Sequence, residues 1–319
     1  MQFAYRPDEG HLTRLDQAAD LSTALWIDLY RPLPSQSEAV ARLGVIPPTL
    51  ADMEEIEISN RLYREGGADY MTVVLPGLSQ TKTPTSGPVC FILTPDRLVT
   101  LRYHAPRPFE TYPERAGKVG PGCDTPDKVF LGLIEEIIGR MADILEGIGR
   151  SLDEVASGIY QRGTKGLRAD MLQDALERVG REGDLLGRVR LGLLTVERAV
   201  SFFGQTLAER PDAGLRPLVK GLMRDLQALE VHADFLGSRL ALTSDATLGM
   251  INLSQNVTVR IVSVVAALFM PPTLIASAYG MNFAHMPELA HPMGYPMALA
   301  MMLTSAVSTY LFFKWKHWL

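Results

Sequence analysis

Residues 261–280 read IVSVVAALFMPPTLIASAYG, and this stretch decides what kind of fold the chain can adopt. It contains twenty consecutive residues without a charged side chain. As an α-helix it would be about 30 Å long, which matches the hydrocarbon core of a bilayer. The sequence therefore predicts a membrane-spanning helix, in which Pro271-Pro272 should produce a kink or loosen the local hydrogen bonding.

A second apolar stretch, PMALAMMLTSAVSTYLFF, follows at 296–313. It leads into Lys314-Trp-Lys-His-Trp318, a basic and aromatic cluster typical of a membrane interface. The connecting segment 281–295 contains no Lys or Arg. The positive-inside rule then places both termini in the cytoplasm and the loop outside, as in a two-span protein of a bacterial-type inner membrane. A buried hairpin in a soluble protein is the alternative, although uncharged stretches of this length are rare in soluble folds.

The charges of the chain are concentrated outside these two stretches. Residues 251–319 contain one acidic residue and three Lys or Arg, whereas residues 1–250 contain 35 acidic and 28 basic residues, a net charge of −7. An acidic body argues against a nucleic-acid partner and is suited to one that meets cations. The first residues show no signal-peptide pattern, and Cys90 and Cys123 have no metal-type spacing.

Residues 1–126 are predicted to form an α/β domain. Short apolar strands are expected at 24–30 and 70–75, and a hairpin at 90–104 that turns at Pro95-Asp96. The segments SQSEAVARLG and TLADMEEIE predict short helices. We expect 79–88 to be a loop and the Pro- and Gly-rich span 105–126 to be a linker or an irregular cover.

From residue 127 the apolar pattern becomes helical. Apolar residues from Phe130 to Ile159 recur every three or four positions, which predicts a coiled-coil-like seam. A break at 162–166 precedes a second long helix at about 167–209. A third helix is expected to begin at Pro217 and to run without a strong break to Gly280, a length of roughly 95 Å.

The predicted fold class is an α+β cytosolic domain with long coiled-coil-like helices that continue into a membrane domain of two helices. The predicted domains are the α/β domain (1–126), the long helices and stalk (127–257) and the membrane domain (258–319). Within the last, we expect a first span at 258–280, an outer loop at 281–295, a second span at 296–313 and a cytosolic tail at 314–319.

Nearly all polar residues of the first span and its approach follow one line along the third helix. A spacing of four and three residues, which averages 3.5, keeps this stripe on one helical face. Polar residues on one face of a membrane helix usually point away from lipid. For a single Ser or Thr, easier packing between helices is the simpler explanation. The stripe comprises Asp245, Gly249, Asn252, Asn256, Val259, Ser263, Ala266, Met270, Thr273 and Ser277.

This stripe predicts a cation pathway built from several copies of the chain, because two spans cannot enclose a channel. The third helix would be innermost and the second span would face lipid. Amide and hydroxyl oxygens suit Mg²⁺, which prefers hard oxygen ligands and releases its water reluctantly. Inward movement of a divalent ion gains about 4.6 kcal/mol per 100 mV, so no ATP is needed. No complete phosphate-binding loop and no set of nucleophile and base are present, which argues against an enzyme.

The sequence resembles the CorA family of divalent-cation channels over its whole length. The matching motifs are Gly280-Met281-Asn282, Met286-Pro-Glu-Leu289, Met270-Pro-Pro-Thr273 and the final FKWKHWL. This resemblance implies a funnel-shaped homopentamer in which the first span lines the pore. It implies that Asn282 forms the outer selectivity ring, which binds Mg²⁺ with its water attached, and that Val262 lies at the inner constriction. Ser277, Val259 and Val262 differ from residues that some members have there, which puts the tightness of the inner gate in question.

The resemblance also implies gating by cytosolic Mg²⁺ bound between neighbouring soluble domains. No motif locates that regulatory site, and Asp225, Glu230 and Asp234 are guesses for it; a solvated helix face is the simpler explanation for any one of them. At the outer mouth, Glu288 either attracts cations or binds backbone groups of its own loop. His285 and His291 have no zinc-type spacing.

The sequence leaves three functions open. The first is a passive Mg²⁺ channel, with Co²⁺ and Ni²⁺ as further candidate substrates. The second is a zinc transporter of the same superfamily, although that branch tends to vary the Met of the triplet, and Met281 is present here. The third is a membrane-tethered coiled-coil sensor or scaffold that conducts nothing.

Overall fold

The computed structural model describes residues 1–16, 20–118, 120–166, 169–209, 214–281 and 291–316. These residues contain seven β-strands and eight α-helices. The strands are β1 (Gln2–Asp8), β2 (His11–Arg14), β3 (Trp26–Tyr30), β4 (Leu62–Glu65), β5 (Ala68–Leu78), β6 (Pro84–Leu93) and β7 (Leu98–Arg102). The helices are α1 (Pro34–Ala41), α2 (Leu50–Glu54), α3 (Ile58–Arg61), α4 (Pro108–Arg115), α5 (Pro126–Gly166), α6 (Ala169–Glu209), α7 (Arg216–Tyr279) and α8 (Gly294–Trp315).

The strands form one sheet with the order β2-β1-β3-β7-β6-β5-β4. Only β3 and β7 pair in parallel, and Ile27 lies opposite Val99 in that pair. The two strands lie at the centre of the sheet and are buried on both faces, which explains their nearly continuous apolar sequence. The predicted hairpin at 90–104 is present as β6 and β7.

The two faces of the sheet have different cores. On one face, residues such as Ile27, Val99 and Met53 form an aliphatic cluster. On the other face the core is aromatic: the Phe91 and Phe130 rings lie 5.4 Å apart, and the Phe130 and Phe203 rings 5.0 Å apart. These contacts join the sheet to α5 and α6.

A charged pair is buried on this second face. Arg102 donates from Nη2 to Oδ2 of Asp28 at 2.8 Å, and the two side chains are 5% and 2% exposed. Thr100 Oγ1 donates to Asp28 Oδ1 at 2.9 Å and accepts from Trp26 Nε1 at 3.1 Å. The carboxylate is therefore fully supplied with donors, which offsets the cost of removing a charge from water.

The long helices follow the predicted pattern. In the seam from Phe130 to Ile159 the apolar residues are buried, except Ile144, which is half-buried. The third long helix is α7, which has 64 residues and contains Pro271 and Pro272. Helix α8 has 22 residues. These two helices are the ones, within the described parts of the chain, that are long and apolar enough to cross a membrane.

Several local predictions need correction. The loop predicted at 79–88 is wrong in its second half, because β6 already begins at Pro84 and pairs with β5 along its whole length. The span 105–126 is not irregular throughout, since Pro108 starts α4 at a position where proline is well tolerated. The break expected at 162–166 is displaced, because α5 continues to Gly166. Strands β1, β2 and β4 were not predicted.

The contacts divide the chain into two units. The first comprises 1–156 and 177–243, and the second 157–176 and 244–319. The first unit contains the sheet and the aromatic core, whereas the second contains the C-terminal part of α7 and α8.

Candidate functional site

The predicted stripe lies on one face of α7, and that face is exposed. Every one of its ten positions, from Asp245 to Ser277, is exposed. The exposed fractions of Val259 and Met270 are 64% and 69%, and Val262, which lies beside the stripe, is 63% exposed. In one copy of the chain, therefore, nothing within the described residues covers this face.

The opposite face of α7 is covered within the second unit. Val264 is buried and is followed, every three or four residues, by the half-buried Leu268, Pro271, Ile275 and Tyr279. This line is displaced from the stripe by about one and a half residues, or roughly 150° around the helix. The stripe therefore lies on the side of α7 that points away from its covered line.

Helix α8 has a covered line of its own. Gly294 and Ala298 are buried, and Met302, Thr309 and Phe313 are half-buried at the same periodicity. Glycine and alanine at such positions let two helices approach closely in a membrane. Helices α7 and α8 thus each have one covered line within the second unit.

The polar groups on the stripe can accept hydrogen bonds from the water shell of a cation. Thr273 donates its hydroxyl hydrogen to the Phe269 carbonyl at 2.7 Å, so that its oxygen lone pairs remain available. Asn252 and Asn256 are exposed, and neither amide has a hydrogen-bond partner within the described residues. Their carbonyl oxygens are hard ligands of the kind that Mg²⁺ and its water prefer.

Helix α7 ends where the predicted selectivity triplet begins. The Gly280 amide donates to the Ala276 carbonyl at 2.9 Å, and Met281 is 49% exposed. A Cβ at Gly280 would lie 3.2 Å from that same carbonyl oxygen, so glycine relieves a tight approach at the helix end. Asn282, His285 and Glu288 lie outside the described residues. The predicted selectivity ring and outer mouth therefore stay predictions.

The guessed regulatory residues lie on α7 but form no metal site in one copy. Asp234 Oδ1 accepts from Arg190 Nη2 at 2.9 Å and is therefore already paired. Burial raises the pKa of Glu230, and Glu197 and Asp234 add to this effect. Asp225 is exposed. Within the described residues, no cluster of three or more His, Cys, Asp or Glu could hold a metal ion.

Sequence reasoning missed one cavity of the first unit. Its floor contains the buried pair Asp28–Arg102, and its walls come from β1, β2 and α4. Asp28 lies within an apolar strand, and an acidic residue in such a position could have indicated a buried ion pair. The partner Arg102 could not be identified from the sequence, because their pairing requires the parallel contact of β3 and β7.

Comparison with known proteins links the chain to one family. A family model described as CorA-like Mg²⁺ transporter protein matches residues 22–315. The chain is 32% identical over 322 residues to the magnesium transport protein CorA of Yersinia pseudotuberculosis, with 100% of both chains covered. It is 31% identical over 322 residues to the magnesium transport protein CorA of Escherichia coli, again with 100% of both covered.

Solved structures share the fold at low sequence identity. The complete structure of the CorA magnesium transporter from Methanocaldococcus jannaschii matches with a TM-score of 0.72 and 16% identity, covering 100% of this chain and 99% of the other. The full-length CmaX protein matches with a TM-score of 0.64 and 16% identity, covering 98% and 96%. The cytoplasmic domain of ZntB from Vibrio parahaemolyticus matches with a TM-score of 0.55 and 12% identity, covering 77% of this chain and 96% of the other. These likenesses confirm the predicted α+β fold with long helices and two candidate membrane helices.

Proposed function

The chain belongs to the family of CorA-like Mg²⁺ transporters, and on that premise we propose that it is a passive channel through which Mg²⁺ enters the cytoplasm. One observation carries this proposal: the polar stripe of α7 is exposed along its whole length, while the buried and half-buried residues of the span lie on the other side of the helix. A membrane helix that leaves a line of amides and hydroxyls free on one side is suited to line water.

The pathway requires several copies of the chain. One α7 can contribute only one wall, and closed rotational symmetry is the usual way to complete a ring. The likeness to the CorA family supports a homopentamer in which α7 is innermost and α8 faces the lipid bilayer. The exposed Leu, Met and Val side chains of α8 are suited to that environment. No nucleic acid is involved.

The transported ion is proposed to pass with its water attached. The stripe residues Asn252, Asn256, Thr273 and Ser277 offer neutral oxygens, which bind the water shell without holding the ion too tightly. Asn282 is proposed to form the outer selectivity ring, and Glu288 to attract cations at the mouth. The membrane potential supplies about 4.6 kcal/mol per 100 mV for a divalent ion. Co²⁺ and Ni²⁺ are further candidate substrates.

The inner part of the pathway is proposed to be the gate. Val259 and Val262 expose apolar side chains toward the pathway, and a ring of such side chains can stop ions by excluding water. Cytosolic Mg²⁺ is proposed to hold the gate shut by binding between neighbouring soluble domains. Because no metal cluster forms among the described residues of one copy, carboxylates such as Asp225 and Glu230 would have to act across copies.

The proposed topology follows from the charges near the two spans. The segments 1–126 and 127–257 are proposed to lie in the cytoplasm, and 258–319 to form the membrane domain. With no Lys or Arg at 281–295 and two Lys at the end of α8, both termini are placed on the cytoplasmic side of an inner membrane.

Mg²⁺ entry into proteoliposomes tests the proposal. Asn282→Ala is expected to abolish most of the entry, because the ring would lose its oxygen ligands. Asn60→Ala is the matched control, since Asn60 is an exposed asparagine of the first unit. Undiminished entry through Asn282→Ala would falsify the proposed selectivity ring. The absence of any potential-driven cation current through the unmodified protein would contradict the channel itself.

A further inference from the structure

A cavity of the first unit lies beside α4, and it has a volume of about 680 Å³. This size is in the range of pockets that hold a small organic ligand. Strands β1 and β2 form one wall and α4 forms the other, while the buried pair of β3 and β7 lies at the floor. All of these elements belong to the same unit, so the cavity is complete within one copy.

The floor of this cavity presents planar groups. The Arg102 guanidinium lies 4.5 Å from the centre of the Tyr30 ring and 5.0 Å from that of Phe109. Its Nε and Nη2 bind Asp28, and its Nη1 donates to the His104 carbonyl at 3.2 Å. One N–H on each terminal nitrogen remains beyond these bonds. Arg102 and Phe109 are 4% and 3% exposed, so the floor offers the spare N–H donors of the guanidinium rather than an open ring face, and these donors are suited to the acceptor atoms on the edge of a heterocycle.

The two walls carry charges of opposite sign. On the strand side, Arg14 is exposed, and its guanidinium lies over the Phe3 ring at 4.5 Å, with His11 close by in the same wall. On the helix side, Glu110 and Glu114 are exposed and lie four residues apart, hence on the same face of α4. A simple anion would be repelled by the two carboxylates, and a simple cation would be repelled by Arg14.

From this arrangement we propose that the cavity binds a nucleoside phosphate together with its Mg²⁺. The phosphates would lie against Arg14 and His11, the edge of the base against the spare N–H groups of Arg102, and the ion between the phosphates and the two carboxylates. Mg²⁺ is usually held in this manner, by one or two carboxylates and the phosphates of a ligand, with several waters retained. Such a ligand satisfies both walls at once. The site is separate from α7 and does not depend on the proposed transport.

Calorimetry of the full-length protein with Mg·ATP tests the proposal. Saturable binding is expected, and it should weaken at least tenfold when excess EDTA removes the ion. Mg·tripolyphosphate, which lacks the base, and adenosine, which lacks the phosphates, should both bind at least tenfold more weakly. Equal affinity for Mg·tripolyphosphate and Mg·ATP would overturn the proposed base contact, and the absence of saturable Mg·ATP binding would overturn the site.

Surface variants locate the binding without disturbing the core. Arg14→Ala and the double variant Glu110→Gln with Glu114→Gln should each weaken Mg·ATP binding roughly tenfold, since each removes a charge-assisted contact. Arg6→Ala and Glu38→Gln are the controls, because both residues are exposed and neither lines the cavity. Wild-type affinity in both wall variants would overturn the assignment. Unchanged Mg·ATP binding by Asn282→Ala is expected, so the two proposals can fail independently.

Discussion

The sheet core and the C-terminal helices are about equally apolar, yet the two regions treat their apolar side chains in opposite ways. Phe91 and Leu98 in the sheet are fully buried, whereas Val259 on α7 and Leu303 on α8 are 64% and 69% exposed. Water cannot cover so much apolar surface without a large free-energy cost. The apolar side chains of the sheet are therefore covered within one chain, whereas those of the C-terminal helices need a cover from outside it, for which lipid and further copies of the chain are the proposed sources.

The comparison also holds for the polar residues of the two regions. Polar residues of the sheet, such as Asp28 and Thr100, are buried and fully hydrogen-bonded. The amides of Asn252 and Asn256 are exposed and lack side-chain partners among the described residues. In the sheet a polar group stabilises structure, whereas on α7 it is left free, as the proposed ion pathway requires.

The largest expected effect concerns the aromatic core of the first unit. Phe91→Ala should lower the free energy of unfolding by about 3–5 kcal/mol, because the Phe91 ring contacts Phe130 and its removal leaves a cavity. Urea unfolding followed by Trp26 fluorescence measures this, in a background where Trp315 and Trp318 are replaced by Phe. A loss below about 1 kcal/mol would show that this core is not what holds the unit together.

The next effect concerns a polar residue inside the same core. His104 is buried, its Nε2 donates to the Leu75 carbonyl at 2.9 Å, and its Nδ1 has no hydrogen-bond partner among the described residues. Burial lowers the pKa of His104 to about 4 from its usual 6.5. The unfolded chain then binds the proton more readily, so stability should fall as pH drops from 6.5 toward 4, by on the order of 3 kcal/mol in total.

Urea unfolding at several pH values checks this prediction. The slope of unfolding free energy against pH between 4 and 6.5 should become shallower in His104→Gln by up to about 1.4 kcal/mol per pH unit. His232→Gln is the control, since His232 is exposed on α7. Equal slopes in the two variants would show that His104 is not the group that titrates.

A smaller effect separates the stripe from the lipid-facing surface. Thr273 and Thr304 are both exposed, and each donates its hydroxyl to the carbonyl four residues earlier at 2.7 Å. Thr273→Val should reduce Mg²⁺ entry into proteoliposomes several-fold, because a ring of oxygens is lost from the pathway. Thr304→Val should leave entry unchanged. Equal effects from the two substitutions would remove the distinction between the two surfaces.

The smallest effect is expected on the outer surface of α8. Leu303→Ala should leave Mg²⁺ entry unchanged and should change the free energy of unfolding by less than about 0.5 kcal/mol. The reason is that the Leu303 side chain is exposed, so that lipid would fill the space left by its removal. The same two assays measure this. A loss comparable to that of Phe91→Ala would mean that a protein surface, rather than lipid, covers this face.

The sequence alone predicted those elements whose signal is local. The 64-residue helix α7 could be recognised because no strong helix-breaking segment interrupts its sequence. The strand predicted at 24–30, present as β3, could be recognised because turn residues bound a short apolar run. Strand β1 was missed because its segment is short and charged, so that its apolar pattern is weak. Phe3 and Tyr5 face one side of the sheet and Ala4 the other. Helix α4 was missed because its two prolines and the glycines that follow it suggested an irregular segment.

The stripe could be predicted because it depends only on helical spacing, which a sequence contains. The cavity beside α4 could not, because Asp28 and Arg102 are brought together by a parallel strand pair far apart in sequence. The regulatory site stays a guess for a similar reason. Carboxylates that bind a metal ion between two copies need no particular spacing along one chain, so no sequence motif marks them. Asp234, one of the guessed residues, is already paired with Arg190.

The continuity of α7 limits how this chain can change in length over evolution. Inserting one residue between Asn252 and Thr273 would turn everything beyond it by about 100°, and Ser277 would then face the side that Val264 now occupies or lipid. Seven residues, about two turns, is the shortest insertion that would restore the face to within about 20°, and it would lengthen the helix by roughly 10.5 Å. The turn at Ser79–Thr83 has no such constraint, since its residues bond mainly to one another. Variation in length should therefore accumulate in such turns and be nearly absent from this part of α7.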